Sequence, residues 1–173
     1  MELSFLYFLQ TLHNPFLDRI MIFFTNLGEY GTIWIITALI LLCFQKYRPY
    51  GILMLAAMLV TFLIGEIGLK SLIMRQRPLV ADPTVTQLIP LPSGSSFPSG
   101  HTASSFTAAW ILWKANRKFG AAGFAVAFCI AFSRLYLFVH YPTDVLGGVV
   151  LGILCAQCIY LLYQRLIRKK ASV

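Results

Sequence analysis

The feature that most constrains this chain is a succession of apolar segments separated by short polar breaks. The clearest segment runs from Ile52 to Ile73 and can cross a bilayer alone, since a spanning helix needs about 20 apolar residues. Five other segments follow the same pattern: Phe16 to Leu27, Thr32 to Phe44, Thr102 to Trp113, Phe119 to Phe138 and Val145 to Ile167. The sequence therefore predicts an all-α integral membrane bundle of six helices, in a single domain that covers residues 1–173.

The composition agrees with a membrane protein. The chain is 58% hydrophobic and 12% charged, with a mean hydropathy of +0.76, which is too apolar for an ordinary soluble domain. Leu3 to Leu12 is short and aromatic, so it predicts an N-terminal interfacial helix. The first residues lack a basic region and a cleavage site, which argues against a removable signal peptide. Leu79 to Phe97 is rich in proline and predicts an external loop.

The distribution of basic residues predicts the orientation in the membrane. With six spans, ten basic residues fall on the side of the termini: Arg19, Lys46, Arg48, Lys114, Arg117, Lys118, Arg165, Arg168, Lys169 and Lys170. This asymmetry places the termini in the cytoplasm of a multi-pass cell-membrane protein. It also explains most of the net charge of +8 without a nucleic-acid partner, because no basic soluble segment with interleaved aromatic residues is present. Lys70, Arg75, Arg77 and Arg134 lie on the opposite, non-cytoplasmic side.

Lys70 and Arg77 indicate an anionic ligand. They are seven residues apart, so they share a face if the helix continues to Arg77 and is stopped by Pro78. Ionisable groups beside spanning helices are energetically costly and usually functional. Glu66, four residues before Lys70, offers the simpler alternative of an ion pair with that lysine. Arg75 could contact substrate, a loop carbonyl or a lipid headgroup, and the sequence does not decide among them.

The tetrapeptide from Pro98 to His101 predicts an anion cradle. Pro98 suits the first turn of a helix, so the backbone N–H groups of Ser99, Gly100 and His101 would point outward at its positive end. Gly100 lets a phosphate oxygen approach the backbone, and the Ser99 hydroxyl adds a donor.

His140 and Asp144 indicate an activated nucleophile. The carboxylate would hold the imidazole in one tautomer and leave the other nitrogen free to attack phosphorus. His101 is the candidate acid for the leaving group. A metal site built from His101, His140, Asp144 and Glu66 is the alternative, which the neighbouring cations disfavour.

Three spaced motifs resemble the type-2 phosphatidic acid phosphatase family: Lys70 to Pro78 matches K-x6-R-P, Pro98 to His101 matches P-S-G-H, and Ser133 to Asp144 matches S-R-x5-H-x3-D. The resemblance implies a lipid phosphatase that needs no metal or other cofactor. It implies a phosphohistidine at His140, assisted by Asp144, with His101 as general acid. It also implies that Lys70, Arg77, Ser99, Gly100 and Arg134 bind the phosphate.

The substrate is less constrained than the chemistry. We expect a lipid phosphate or polyprenyl diphosphate, with undecaprenyl diphosphate as the leading candidate, because the compact chain has no eukaryotic targeting segment and its small loop leaves the pocket open sideways to lipid. Phosphatidylglycerol phosphate and phosphatidic acid are the alternatives. A small membrane transporter, with the same polar residues as relay groups, is the main non-enzymatic alternative, and a catalytically silent lipid-binding protein is another. The sequence does not predict an oligomeric state.

Overall fold

The computed structural model of the chain describes residues 1–171, except the side chains at positions 168, 170 and 171. The basic residues Arg168 and Lys170 of the predicted cytoplasmic cluster therefore have side chains outside the described part. All regular structure within residues 1–171 is helical. The helices are α1 (Glu2–Gln10), α2 (Pro15–Leu27), α3 (Thr32–Cys43), α4 (Arg48–Phe62), α5 (Lys70–Ile73), α6 (Pro78–Ala81), α7 (Gly100–Ala115), α8 (Arg117–Tyr136) and α9 (Pro142–Ala171). A 3₁₀ turn (Glu29–Gly31) precedes α3, and a π-helical segment (Leu63–Leu69) joins α4 to α5.

Two asparagines start helices by the same mechanism. The Asn14 side chain accepts hydrogen bonds from the backbone N–H groups of Phe16 and Leu17, and Pro15 fills the first helical position of α2. Asn116 caps α8 in the same way. These polar breaks separate consecutive apolar segments because each supplies a cap that an apolar residue could not.

Helix α7 lies at the centre of the molecule. Eight of its sixteen residues are buried, and it packs against α8 on one side and α9 on the other. Gly120 of α8 and Gly152 of α9 allow the close approach, because an added Cβ at either position would overlap backbone atoms of α7. The predicted segment Thr102 to Trp113 is therefore an interior helix.

The described helices confirm an integral membrane protein with several apolar helices. Arg48–Ala81, Arg117–Tyr136 and Pro142–Ile167 are long and apolar enough to cross a membrane, and α2 with α3 forms a fourth candidate if this pair, bent by 47°, is one span. Large apolar side chains such as Phe62, Leu63 and Leu154 are exposed on the outer surface, as expected for contact with lipid. By length and composition this gives three or four candidate spans, so the count of six stays a prediction.

Two predicted helix boundaries were wrong. The helix containing Lys70 does not continue to Arg77, because it ends at Ile73 and Met74 turns the chain through the left-handed region with φ of 48°. Pro78 therefore starts the short helix α6 instead of stopping a long one. Similarly, Pro98 lies before α7 rather than in its first turn, since Ser99 is the N-cap and the helix begins at Gly100.

Candidate active site

The three motifs meet at one cavity of about 450 Å³. Residues from each motif line it: Lys70, Arg77, Gly100, His101, Arg134 and His140. Glu66 and apolar residues of α4, including Met58 and Phe62, complete part of the wall. The two imidazoles that the sequence analysis singled out therefore open into a shared space, although they are distant along the chain. Ser99 and Asp144 lie behind this wall.

His140 and Asp144 form a buried pair beside the cavity. His140 lies in the turn between α8 and α9, and Asp144 lies in the first turn of α9, so the four-residue spacing brings the side chains together. Nδ1 of His140 is 3.4 Å from Oδ2 of Asp144. The same oxygen accepts hydrogen bonds from the Tyr141 backbone N–H, at 2.8 Å, and from the Ser96 hydroxyl. Asp144 is fully buried and cannot turn away without losing these partners.

Arg77 identifies the tautomer of His140. A guanidinium nitrogen of Arg77 lies 3.2 Å from Nε2 of the ring. Because arginine can only donate, Nε2 must present a lone pair, and the single proton of the neutral imidazole lies on Nδ1, toward Asp144. Burial lowers the pKa of His140, which favours this neutral form; the Arg134 and Arg77 cations act in the same direction and Asp144 opposes them. Nε2 therefore carries the lone pair of the ring, and Nδ1 carries its proton.

Arg77 also holds the loop that follows α6. Its guanidinium donates to the Val139 carbonyl at 3.1 Å and to three loop carbonyls, those of Ser93, Gly94 and Ser95, at 3.1 to 3.3 Å. The side chain is only 3% exposed. Arg77 thus connects the residue before His140 with the loop, in addition to lining the cavity.

Ser99, the N-cap of α7, does not have the free N–H group that the predicted anion cradle requires. The Ser99 N–H donates to the backbone carbonyl of Asp144 at 3.0 Å, so it is not free to bind a phosphate, and the Ser99 hydroxyl accepts a hydrogen bond from Thr102. Within the described residues, the N–H groups of Gly100 and His101 donate no backbone hydrogen bond. His101 packs against the end of α2, where an added Cβ on Gly28 would lie 3.1 Å from its ring.

Arg134 and Lys70 bring two more cations to the cavity. Arg134 is 2% exposed and donates to the Thr25 hydroxyl, while its Nε has no hydrogen-bond partner among the described residues. Lys70 pairs with Glu66 at 2.8 Å, as the simpler sequence interpretation predicted, yet both side chains line the cavity. The Glu66 carboxylate lies against Gly100 and leaves no room for a side chain there.

Sequence reasoning missed several residues around Asp144. Arg75 donates to Oδ1 of Asp144 at 2.7 Å, and the Ser96 hydroxyl donates to Oδ2. Arg75 stands two residues from the motif arginine, which was a weak signal, whereas nothing in the sequence marks Ser96. The described residues contain no group of three or more His, Cys, Asp or Glu side chains arranged to hold a metal ion.

Comparison with known proteins agrees with the fold and the motifs. The sequence matches the PAP2 superfamily over residues 46–168. It is 33% identical to an undecaprenyl-diphosphatase of Sulfolobus acidocaldarius over 79% of this chain and 66% of that protein. It is also 33% identical to the undecaprenyl-diphosphatase BcrC of Bacillus subtilis, over 82% of this chain and 72% of that protein. The chain thus spans about two thirds of the length of these relatives.

A solved structure shows the same architecture. The crystal structure of Aquifex aeolicus LpxE superposes with a TM-score of 0.82 and 29% sequence identity, covering 92% of this chain and 94% of that one. The fold and the site define a helical membrane enzyme of the lipid phosphatase class. The chain belongs to the PAP2 superfamily.

Proposed function

We propose that this enzyme hydrolyses a lipid phosphate or polyprenyl diphosphate, with undecaprenyl diphosphate as the leading substrate. The observation that carries the proposed chemistry is the lone pair of His140 Nε2 at a cavity that also contains three cations and a second imidazole. The names of the relatives in Sulfolobus and Bacillus support the polyprenyl diphosphate. Phosphatidylglycerol phosphate and phosphatidic acid are the alternatives to be compared.

The reaction proceeds in two steps. As the phosphate displaces the Arg77 N–H from Nε2 of His140, this nitrogen forms a bond to phosphorus while the bond to the leaving oxygen breaks, and His101 donates a proton to that oxygen. Water then attacks the phosphohistidine, which releases inorganic phosphate and restores the free imidazole. Lys70, Arg77 and Arg134, with the Gly100 backbone, stabilise the charge on the transferred phosphoryl group, and Ser99 supports the start of α7 from behind the cavity wall. Asp144 keeps the Nδ1 proton directed away from phosphorus.

The proposed topology has six spans, formed by α2, α3, the α4 to α5 stretch, α7, α8 and α9, with α1 at the interface. Both termini lie in the cytoplasm and the cavity faces the opposite side. Helix α7 has only 16 residues, but half of them are buried against other helices. A helix that is enclosed in this way does not need a long apolar surface toward lipid, which supports its assignment as a span.

The test is phosphate release from detergent-dispersed undecaprenyl diphosphate, phosphatidylglycerol phosphate and phosphatidic acid. We expect His140→Ala to lower turnover by more than about 10⁴-fold, because no other group supplies the nucleophile. His13→Ala is the matched control, since the His13 ring lies outside the cavity and contacts the Tyr136 carbonyl at 3.1 Å. Full turnover by His140→Ala would contradict the mechanism, and transport across proteoliposomes without phosphate release by the wild type would contradict the activity.

A further inference from the structure

Arg75 contacts the buried carboxylate of Asp144 on the side away from His140. The guanidinium donates to Oδ1 at 2.7 Å, while Oδ2 faces His140 and accepts from Ser96 and Tyr141. The two carboxylate oxygens therefore have separate partners. Because Arg75 occupies a variable position of the first motif, between Lys70 and Arg77, the sequence left its role open.

Arg75 is itself held by the first helix of the chain. Its second terminal nitrogen donates to Glu2 Oε2 at 2.7 Å, and the first also donates to the Thr143 hydroxyl at 2.6 Å. The guanidinium lies over the Tyr141 ring, 4.0 Å from its centroid. The other Glu2 oxygen accepts from the backbone N–H and the hydroxyl of Thr143, at 3.0 and 2.7 Å. The Arg75 guanidinium is thus bound by Asp144 and Glu2 through its two terminal nitrogens, and one of its faces lies on the Tyr141 ring.

The charge of Glu2 matches this arrangement. Although burial acts in the opposite direction, hydrogen bonds from Thr143 and Arg75 lower the pKa of Glu2. Glu2 therefore remains an anion near neutral pH and keeps its attraction for the guanidinium.

The backbone of Arg75 extends the same network into the loop. Its N–H donates to the Ser95 hydroxyl at 3.0 Å, and its carbonyl accepts from the Ser96 N–H at 2.8 Å. Ser96 is the residue whose hydroxyl contacts Asp144. One residue therefore positions both the cation on Oδ1 and the hydroxyl donor on Oδ2.

This network differs from an ordinary surface ion pair because the Asp144 carboxylate is buried. Exposed pairs contribute little, because water screens both charges. Here the Asp144 side chain is completely buried, while those of Arg75 and Glu2 are about one-third exposed. A buried carboxylate that loses its cation carries a large desolvation cost, which favours a change of its orientation and a stronger dependence on its remaining positive partner.

We propose that Arg75 is a positioning residue that holds Asp144 in the orientation required by His140, and that Glu2 of α1 holds Arg75 in turn. This inference rests on the proposed function. It links the N-terminal helix, which does not line the cavity, to the reactivity of the nucleophile.

The experiment compares four variants of the full chain in detergent: Arg75→Gln, Arg75→Lys, Glu2→Gln and Tyr7→Phe. Arg75→Gln should lower kcat about 10- to 100-fold with little change in KM, less than the roughly 10⁴-fold loss expected when the orienting carboxylate itself is removed. Arg75→Lys should restore part of the rate, and Glu2→Gln should cause a smaller loss. Tyr7→Phe is the matched control, because it removes a bond from α1 to Asp82, of 2.7 Å, without affecting Arg75.

The pH profile distinguishes positioning from a purely structural role. The charged or titratable groups around His140 are Asp144 of α9, Arg134 of α8, His101 of α7 and Arg77 before α6. Removing the Arg75 cation leaves Asp144 less neutralised, which favours the imidazolium and raises the pKa of His140. The acid limb of kcat/KM should therefore move to higher pH in Arg75→Gln and stay in place in Tyr7→Phe.

Three results would overturn the inference. They are wild-type kcat in Arg75→Gln, a loss confined to KM, and a loss of kcat with an unchanged pH profile and no rescue by lysine. If Arg75→Gln fails to insert in the membrane, Glu2→Gln still tests the inference, because the Glu2→Gln variant retains the Arg75 guanidinium. Wild-type kinetics in Glu2→Gln would overturn the role of α1. An inactive wild type and an inactive Tyr7→Phe would instead refute the proposed function.

Discussion

His101 and His140 open into one cavity but have different surroundings. His140 is fixed between Asp144 and Arg77, whereas the ring of His101 packs against Gly28 at the end of α2. This difference suits a nucleophile, which needs a defined tautomer, and a separate proton donor, which needs access to the leaving oxygen.

The importance of His101 should depend on the leaving group. An alkoxide leaving from phosphatidic acid needs a proton, while the lipid phosphate that leaves from a polyprenyl diphosphate is already a stable anion. We expect His101→Ala to lower turnover of phosphatidic acid about 10²- to 10⁴-fold and turnover of undecaprenyl diphosphate clearly less. Steady-state phosphate release on both substrates measures this, and equal losses would contradict the assignment of His101 as the acid.

The motifs indicated two histidines and three cations that line the cavity, but they did not indicate that Ser99 and Asp144 lie behind its wall or how the neighbouring groups are used. The motif spacing led to His101, His140 and Asp144. It could not show that the Ser99 N–H is bonded to Asp144, or that Arg75 contacts a carboxylate 69 residues away. Such pairs depend on how helices pack, and no local pattern records them.

The contact between α7 and α9 leaves no room for a larger residue at Gly152. At Gly152 an added Cβ would overlap the Ala103 carbonyl oxygen and lie 3.0 Å from the Thr107 nitrogen. Small residues are typical where membrane helices approach closely. Gly148 and Gly152, four residues apart, were therefore a sequence signal for this contact.

Gly152→Ala should destabilise the protein by about 1 to 3 kcal/mol, because the backbone atoms it would overlap cannot move aside. Gly68→Ala is the matched control, since its new Cβ would meet only the Leu63 carbonyl oxygen, at 3.6 Å. Thermal unfolding in one detergent compares the two variants. If both variants unfold at the same temperature, the contact between α7 and α9 does not require glycine at position 152.

The boundaries of the elements were predictable only where a cap marks them. Asn14 with Pro15 and Asn116 cap the starts of α2 and α8, close to the starts at Phe16 and Phe119 that the apolar pattern predicted. The π-helical segment and the left-handed Met74 left no such mark, because methionine rarely adopts that conformation and tertiary contacts must stabilise it. The predicted register of Lys70 with Arg77 failed for this reason.

For the whole molecule, the proposed topology places the two ends of the bundle on opposite sides of the membrane. The loop at Thr86 should face outward, and Lys118, in the first turn of α8, should face the cytoplasm. Thr86→Cys and Lys118→Cys test this in a chain whose four cysteines are replaced by alanine. We expect a membrane-impermeant maleimide to label Thr86→Cys in intact cells and Lys118→Cys only after permeabilisation. The reverse pattern would contradict the topology.

The ion pair between Glu66 and Lys70 has a consequence for the end of each catalytic cycle. Since Lys70 already has an anionic neighbour at 2.8 Å, a newly formed phosphate ion must compete with that carboxylate for the ammonium group. This competition lowers the affinity for inorganic phosphate proportionately more than the affinity for a lipid substrate, because the lipid tail contributes binding energy of its own. The Glu66 carboxylate therefore promotes the release of inorganic phosphate and the binding of the next lipid.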